Sequence, residues 1–235
     1  MERPKIVYQE IQFYSWFALE ESGAVPNNKV FFLPTDDQCL LGILNSPLML
    51  WVLTRTLPHM KDEALSPAGF IMEQLRVRLP ANAVRKKIAG LVRGLCSVTE
   101  DRYAEEDRFL AKVAALNRGN ADRRALNWLR RPDEEFARIV ERSSASPIST
   151  AGKCELAELK NSSGSAIARL LVEQLRLEED LAVLVEDVYE LDPEERKLLR
   201  ATRPIRDPLD VLRSHLWGKN IRGQGDEQTG MDEET

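Results

Sequence analysis

The chain has 235 residues, of which 43% are hydrophobic and 30% are charged, and its formal net charge is −5. These values suit one or two soluble globular domains. The cysteines Cys39, Cys96 and Cys154 form no CxxC pair, and there are only two histidines. We therefore expect neither a disulfide framework nor a structural zinc site, and we expect a cytoplasmic location. No membrane span is expected either. The most apolar run, residues 39–53, is shorter than the roughly 20 residues required and is interrupted.

Charge is segregated along the chain. Residues 81–131 carry 12 Lys and Arg against 6 Asp and Glu, whereas residues 132–235 carry 14 against 23. Such a split arises either from solvated helix faces or from a basic binding surface, and both interpretations stay open at this point. The net negative charge argues against a general nucleic-acid-binding protein.

The first eighty residues have the pattern of an α+β domain. Three segments rich in β-branched and aromatic residues are separated by turn-forming Gly, Pro and Asn residues, which predicts three short strands. These segments are residues 5–9, the stretch around 16–19, and residues 29–33.

The apolar run CLLGILNSPLMLWVL predicts two short helices, one ending near Asn45 and one capped by Ser46 with Pro47 in its first turn. Further along, LRVRL at residues 75–79 alternates strictly between apolar residues and arginine. This alternation predicts a half-buried strand with a cationic outer face.

From about residue 82 the apolar period becomes helical. One apolar seam runs from Val84 to Leu95, and a longer heptad seam runs from Ile167 to Val188 with Gln174 as its single polar member. Further helices are expected over three stretches, namely 103–117, 121–130 and 133–142.

The Ser-rich segment 143–165 is expected to be a loop, since it contains SSASP and NSSGS. After it, Asp192-Pro193-Glu194-Glu195 has the spelling of a capping box with proline in the first turn, which predicts a helix start. The polar, Gly-containing tail at 218–235 is expected to be disordered.

No sequence motif indicates catalysis. Pro132-Asp133 together with Glu158-x-Lys160 imitates the spelling of metal-dependent nucleases, but that chemistry needs its carboxylates on adjacent strands around Mg²⁺, and both segments are expected to be helical or in loops. The chain also has no Gly-rich methyl-donor loop, and neither histidine has a Ser or Cys partner. We therefore expect no catalytic residue and no metal site.

Four cations in the first eighty residues lie near polar turns, where they can hold phosphates or read guanine edges. They are Arg55, Lys61, Arg76 and Arg78. Ordinary solubilising charge accounts for the same spacing somewhat better, so the spacing by itself does not establish a binding surface.

Residues 5–80 resemble a known family in the order of five motifs: KIVYQEI, FAL, VPNNKVFFLP, LLGILNSPLMLWVL and FIMEQLRVRLP. The order is similar to the TaqI-like C-terminal specificity domain of type IIG restriction-modification enzymes and related adenine-N6 DNA methyltransferases. The most specific piece is the structural motif Leu41-x-x-Leu44-Asn45-Ser46. Near the end, LEEDLAVLVEDVYELDPEERKLL at 177–199 resembles the terminal helices of the same proteins.

The resemblance implies a target-recognition domain that reads double-stranded DNA while a methyltransferase domain flips and methylates the adenine. It implies an α+β fold in which a small mixed β-sheet and packed helices (1–80) precede a mainly helical part (81–217) with a coiled-coil-like helix pair. Lys5, Arg55, Lys61, Arg76 and Arg78 are then the candidate DNA-binding residues. No cofactor is expected in this chain, and S-adenosylmethionine would enter only through a catalytic partner.

Some features depart from the family. The segment 101–160 has no counterpart in the family and is interpreted as an insertion or a helical arm. The family's usual Leu-Pro-x-Pro ending is LRVRLP here, with a single proline. The methyltransferase domain of the family is missing from this sequence. The chain is therefore interpreted as the specificity part of a restriction-modification or phage-defence system, with a methyltransferase subunit or domain supplied in trans. The alternative is a non-catalytic helical protein–protein interaction protein, or a truncated remnant of such an enzyme.

Overall fold

A computed structural model of the chain describes residues 3–14, 16–117, 121, 126, 127, 129, 131–144 and 147–217. The helix expected over 121–130 falls largely outside these described residues, and the tail 218–235 lies wholly outside them. Among the described residues, no single helix has the length and apolarity needed to cross a membrane.

The described residues confirm the α+β class, with three strands and eight α-helices. The strands are β1 (Lys5–Gln9), β2 (Phe17–Glu20) and β3 (Val30–Leu33). They form one antiparallel sheet of order β2-β1-β3, so β2 and β3 are its edges. The helices are α1 (Gln38–Leu44), α2 (Pro47–Thr56), α3 (Gly69–Met72), α4 (Asn82–Asn117), α5 (Asp133–Ser143), α6 (Thr150–Val188), α7 (Pro193–Thr202) and α8 (Pro208–Trp217).

The chain divides into two compact units, and α4 and α6 contribute residues to both. Unit 1 contains the sheet and the described residues up to Leu95, together with Leu175–Ser214. Unit 2 is built mainly from Cys96–Gln174. The start of α4 and the end of α6 therefore belong with the sheet, and the unmatched 101–160 segment belongs to unit 2.

In the core of unit 1 the sheet packs with α1 and α2, and with the beginning of α4 and the end of α6. Buried residues of the sheet include Ile6 and Phe17, and those of the two long helices include Ile88 and Leu181. The first predicted seam and the part of the second from Leu181 to Val188 thus pack together within this unit, which agrees with the expected helix pair.

Close approach between α1 and α4 depends on Gly42. A Cβ atom added to Gly42 would lie 2.8 Å from Val92 Cγ2 and 2.9 Å from Ile88 Cγ2. Both methyl groups belong to stiff β-branched side chains in the core, so they have little freedom to move away. The absence of a side chain at position 42 lets the two helices meet at this distance.

Unit 2 has a core of its own, centred on Phe109 and Phe136, whose ring centroids are 6.3 Å apart. Gln174, the polar member of the second seam, has a hydrogen-bond partner in this unit. Its Oε1 accepts a hydrogen bond of 3.1 Å from Arg102 Nε. Arg102 also pairs with Glu106 one turn along α4. A buried amide and a buried ion pair therefore satisfy one another within unit 2.

The loop expected over 143–165 is wrong from residue 150 onward, because α6 begins at Thr150 and runs through NSSGS without a break. Leu156, Leu159 and Ser163 are buried along one face of this helix. The Ser162 hydroxyl donates to the Leu159 carbonyl, which satisfies it inside the helix. Burial of the apolar face outweighs the low helix propensity of Ser and Gly.

The strand expected over 75–79 is also wrong, since this segment is irregular and pairs with no strand among the described residues. The alternation itself persists in part: Leu75 and Val77 pack against the core, and the two arginines between and after them are exposed. The backbone N–H of Arg78 donates to the Tyr189 hydroxyl at 3.1 Å instead of to a neighbouring strand. Side-chain alternation therefore occurred without a sheet partner.

We predict that Gly42→Ala lowers the free energy of unfolding by about 1–2 kcal/mol, because overpacking against Val92 and Ile88 exceeds the gain in helix propensity. Gly90→Ala is the matched control. A Cβ at Gly90 meets only a side-chain nitrogen of Arg93 at 3.9 Å, so this variant should gain about 0.5–1 kcal/mol. Urea unfolding followed by circular dichroism measures both, and equal effects of the two substitutions would contradict the close packing at Gly42.

Candidate nucleic-acid interface

The interface is built on the corner between α1 and α2, where Asn45 joins the helices to the sheet. The Phe17 N–H donates to Asn45 Oδ1 at 2.9 Å, and Asn45 Nδ2 donates to the Phe17 carbonyl at 2.9 Å. The amide thus takes the place of a neighbouring strand for one residue of the edge strand β2. Asn45 Nδ2 also donates to the Leu41 carbonyl at 3.2 Å, which ends α1.

Ser46 makes the turn into α2. Its side chain is fully buried, its hydroxyl donates to the Ile43 carbonyl at 2.7 Å, and it accepts from the Met49 N–H at 3.2 Å. This is the N-cap arrangement predicted from Ser-Pro. Leu41 and Leu44 are both buried in the core of unit 1, so all four residues of the motif hold the corner together.

Two loops meet and form what we call the paired-loop surface: residues 10–14 with Trp16, which connect β1 to β2, and residues 57–66, which follow α2. They are joined by a two-way backbone bridge, in which Gln12 N–H donates to the Leu65 carbonyl at 3.0 Å and Leu65 N–H donates to the Gln12 carbonyl at 2.8 Å. Gln12 and Leu65 are buried. The bridge therefore fixes the two loops against each other from below.

The second of these loops turns through strained backbone. Asp62 and Glu63 have φ of 61° and 60°, although neither residue is glycine. Left-handed backbone at a non-glycine residue carries a conformational cost and concentrates at functional sites. Lys61 is exposed beside this turn.

The outer face of the paired-loop surface is rich in exposed apolar side chains. Trp16 is 60% exposed, and its ring stacks on that of Tyr14 with centroids 4.8 Å apart and planes 15° apart. Other large apolar side chains exposed on the same loops are Ile11, Phe13 and Met60. Exposed aromatic rings of this kind suit stacking or wedging against bases.

Cationic groups accompany these aromatic residues. The Arg206 guanidinium lies 4.3 Å from the centroid of the Phe13 ring. His59 offers both ring nitrogens to acceptors, Glu63 Oε2 at 2.5 Å and the Thr54 carbonyl at 2.7 Å. The bond to Glu63, followed by that to Thr54, raises the pKa of His59 above its usual value. The surface therefore combines aromatic rings with Lys61, Arg206 and an imidazole that favours its protonated form.

Lys5, one of the residues expected to bind DNA, lies in the sheet and is only 3% exposed. Its ammonium pairs with Glu20 at 2.6 Å. That hydrogen bond, followed by one from Ser22, lowers the pKa of Glu20 to about 2. Lys5 thus ties β1 to β2, and its ammonium does not face outward to a phosphate.

Arg55 and Arg78 are exposed, but each is held by contacts within unit 1. Arg55 lies over the Trp51 ring at 3.9 Å and donates to the Thr202 carbonyl at 3.1 Å, which joins α2 to the end of α7. Arg78 pairs with Glu190 at 2.5 Å, and this bond raises its pKa. Each guanidinium is therefore already engaged by partners within unit 1.

Arg76 and Lys61 are placed differently. Both are exposed, and neither forms an ion pair with any residue that the structure describes. Of the five cations expected to bind DNA, these two are the ones whose charge is available. The sequence did not single out Phe13, Trp16 or Arg206, although the cluster FYSW between two predicted strands is a compositional signal for an exposed aromatic loop.

The nuclease-like residues Asp133, Glu158 and Lys160 do not form a metal site. Asp133 begins α5, and its carboxylate pairs with the Lys160 ammonium from α6. The described residues contain no group of three or more His, Cys, Asp or Glu side chains placed to hold a metal ion.

Comparison with models of protein families, with curated proteins and with solved structures finds no match for this chain.

We predict that Asn45→Asp lowers the free energy of unfolding by about 2–3 kcal/mol, because a carboxylate cannot donate to the Phe17 and Leu41 carbonyls and leaves them without that partner. Asn28→Asp is the control, since Asn28 is exposed in the turn before β3; its effect should stay within about 0.5 kcal/mol. Chemical denaturation of both variants provides the test. An equal loss of unfolding free energy in the two variants would contradict a specific role for the Asn45 hydrogen bonds.

Proposed function

We propose that this chain is the sequence-specific DNA-recognition module of a restriction-modification or phage-defence adenine-N6 DNA methyltransferase. In this proposal the catalytic domain, with its S-adenosylmethionine, belongs to a separate chain or domain in the cytoplasm, and this chain supplies target recognition. Double-stranded DNA is its ligand, and the methyltransferase is its protein partner.

The single observation that carries the proposal is the paired-loop surface, which displays exposed aromatic rings together with the cationic side chains of Lys61 and Arg206. The residues of the paired-loop surface lie within the stretch that resembles the TaqI-like specificity domain. Phe17, which directly follows the first loop, is held by Asn45, part of the most specific motif of that resemblance. Aromatic rings for bases and cations for phosphates are the two kinds of group that a DNA-reading surface needs.

The contacts divide into two roles. Lys61 and Arg76 are assigned to phosphate oxygens, because their charges are exposed and free of ion pairs within the described residues. Trp16 and Phe13 are assigned to apolar contact with bases. Lys5, Arg55 and Arg78 are assigned a structural role, since each already has intramolecular partners.

We predict that Lys61→Ala and Arg76→Ala each reduce the slope of log affinity against log salt by about 1, because one phosphate contact and its released counterion are lost. The matched controls are Lys29→Ala and Arg78→Ala, whose cations are paired with Glu10 and Glu190. Fluorescence anisotropy with a duplex library between low and moderate salt, with and without the cognate methyltransferase, gives the slopes. If the wild-type chain binds no duplex at low salt in either condition, the proposal is wrong.

We predict that Trp16→Ala weakens duplex binding by about tenfold while the salt slope stays unchanged, because an apolar contact with bases is lost and no phosphate contact is. Phe32→Ala is the control: Phe32 is 42% exposed on β3, outside the paired-loop surface. A fall in the salt slope with Trp16→Ala, or an equal loss with Phe32→Ala, would contradict the assigned role.

A further inference from the structure

A surface groove runs between the first turns of α4 and the last turns of α6, within unit 1. Its volume is about 570 Å³. The two helices run antiparallel here, since Gly94 lies against Leu177 and Ile88 shares the core with Leu181. The groove is lined on α4 by Lys87, Gly90 and Leu91, and on α6 by Asp180, Val183, Leu184 and Asp187. The Asp187 carboxylate pairs with Arg196 at 2.6 Å.

The floor of the groove is apolar and open to close approach. Val183 is 43% exposed, although it lies in a helix whose other apolar side chains in this region are mostly covered. At Gly90 a Cβ atom would meet only one atom within 4 Å, the Arg93 side-chain nitrogen at 3.9 Å. A helix from outside could therefore come close to the backbone of α4 at this position.

The two walls of the groove carry opposite charges. Residues 82–99 of α4 contain four cations and no acid, and Lys87 is exposed and forms no ion pair with the residues that the structure describes. The α6 wall carries Asp180, whose carboxylate lies 3.4 Å from Arg176 and is about half exposed. A partner of a single charge would face repulsion from one of the walls.

We propose that the groove is the interface of a homodimer, in which a second copy of this chain docks its own α4–α6 pair into it. A two-fold axis through such an interface makes each contact twice. It places Lys87 of one copy against Asp180 of the other, and Leu91 and Val183 of both copies together in the centre. Two antiparallel helix pairs then form a four-helix arrangement. This inference does not depend on DNA binding.

Charge exchange tests the interface with the full chain. Lys87→Glu alone and Asp180→Lys alone each place like charges together at both symmetric contacts, so each should raise the dimer dissociation constant roughly tenfold. An equimolar mixture of the two variants restores opposite charges at both contacts in the heterodimer. Sedimentation velocity over a concentration series, with one variant fluorescently labelled, should therefore recover wild-type association in the mixture.

Two further variants complete the test. Lys86→Glu makes the same charge change on an exposed residue outside the groove and should leave the dissociation constant within twofold. Gly90→Tyr fills the floor and should abolish the dimer, while its circular dichroism spectrum and melting temperature report that the chain is folded. A wild-type chain that stays monomeric at 100 µM would overturn the proposal, and so would a mixture that fails to recover association. Association that occurs only after a different protein is added would also overturn it.

Discussion

The arrangement of unit 1 depends on one side-chain amide. Asn45 presents its oxygen to the N–H of Phe17 and its nitrogen to the carbonyl of the same residue, so the end of α1 completes the open edge of β2. An edge strand otherwise exposes unpaired backbone groups to any other strand. Because the amide holds Phe17 at the beginning of β2, it fixes the point at which the loop that carries Tyr14 and Trp16 enters that strand.

The cations of unit 1 show how strongly a charge depends on its surroundings. Lys5 and Arg76 have similar surroundings in the sequence, since each lies next to apolar residues in an extended segment. In the folded chain the Lys5 ammonium neutralises Glu20 inside the sheet, whereas Arg76 has its charge exposed. A buried cation that is paired with a carboxylate is committed to the fold, whereas an exposed one without an ion pair can bind an anion, so the two have different roles.

Unit 2 shows the opposite case, in which a weak helical sequence becomes a helix. The segment around NSSGS has low intrinsic helix propensity, yet α6 passes through it because Leu156, Leu159 and Ser163 are buried on one face. The small serine and glycine side chains of the NSSGS segment also occupy little space in the packed unit. The heptad seam that continues beyond this segment carries Gln174, whose amide is satisfied by Arg102.

Local sequence by itself determined the three strands, predicted at 5–9, around 16–19 and at 29–33 and found at Lys5–Gln9, Phe17–Glu20 and Val30–Leu33. It also determined the break at Asn45-Ser46-Pro47, the capping box at Asp192 and the two apolar seams. Each of these depends on interactions within a few residues, namely side-chain alternation, helical period or an N-cap hydrogen bond. Tertiary structure decided the rest: that 75–79 pairs with no strand in the described part of the chain, that 150–165 is helical, that Lys5 is buried, and that Arg206 lies against the Phe13 ring. These outcomes depend on residues far apart in the chain, such as Glu20 for Lys5 and Glu190 for Arg78. Local pattern carries no information about which distant group will neutralise a charge or cover an apolar face.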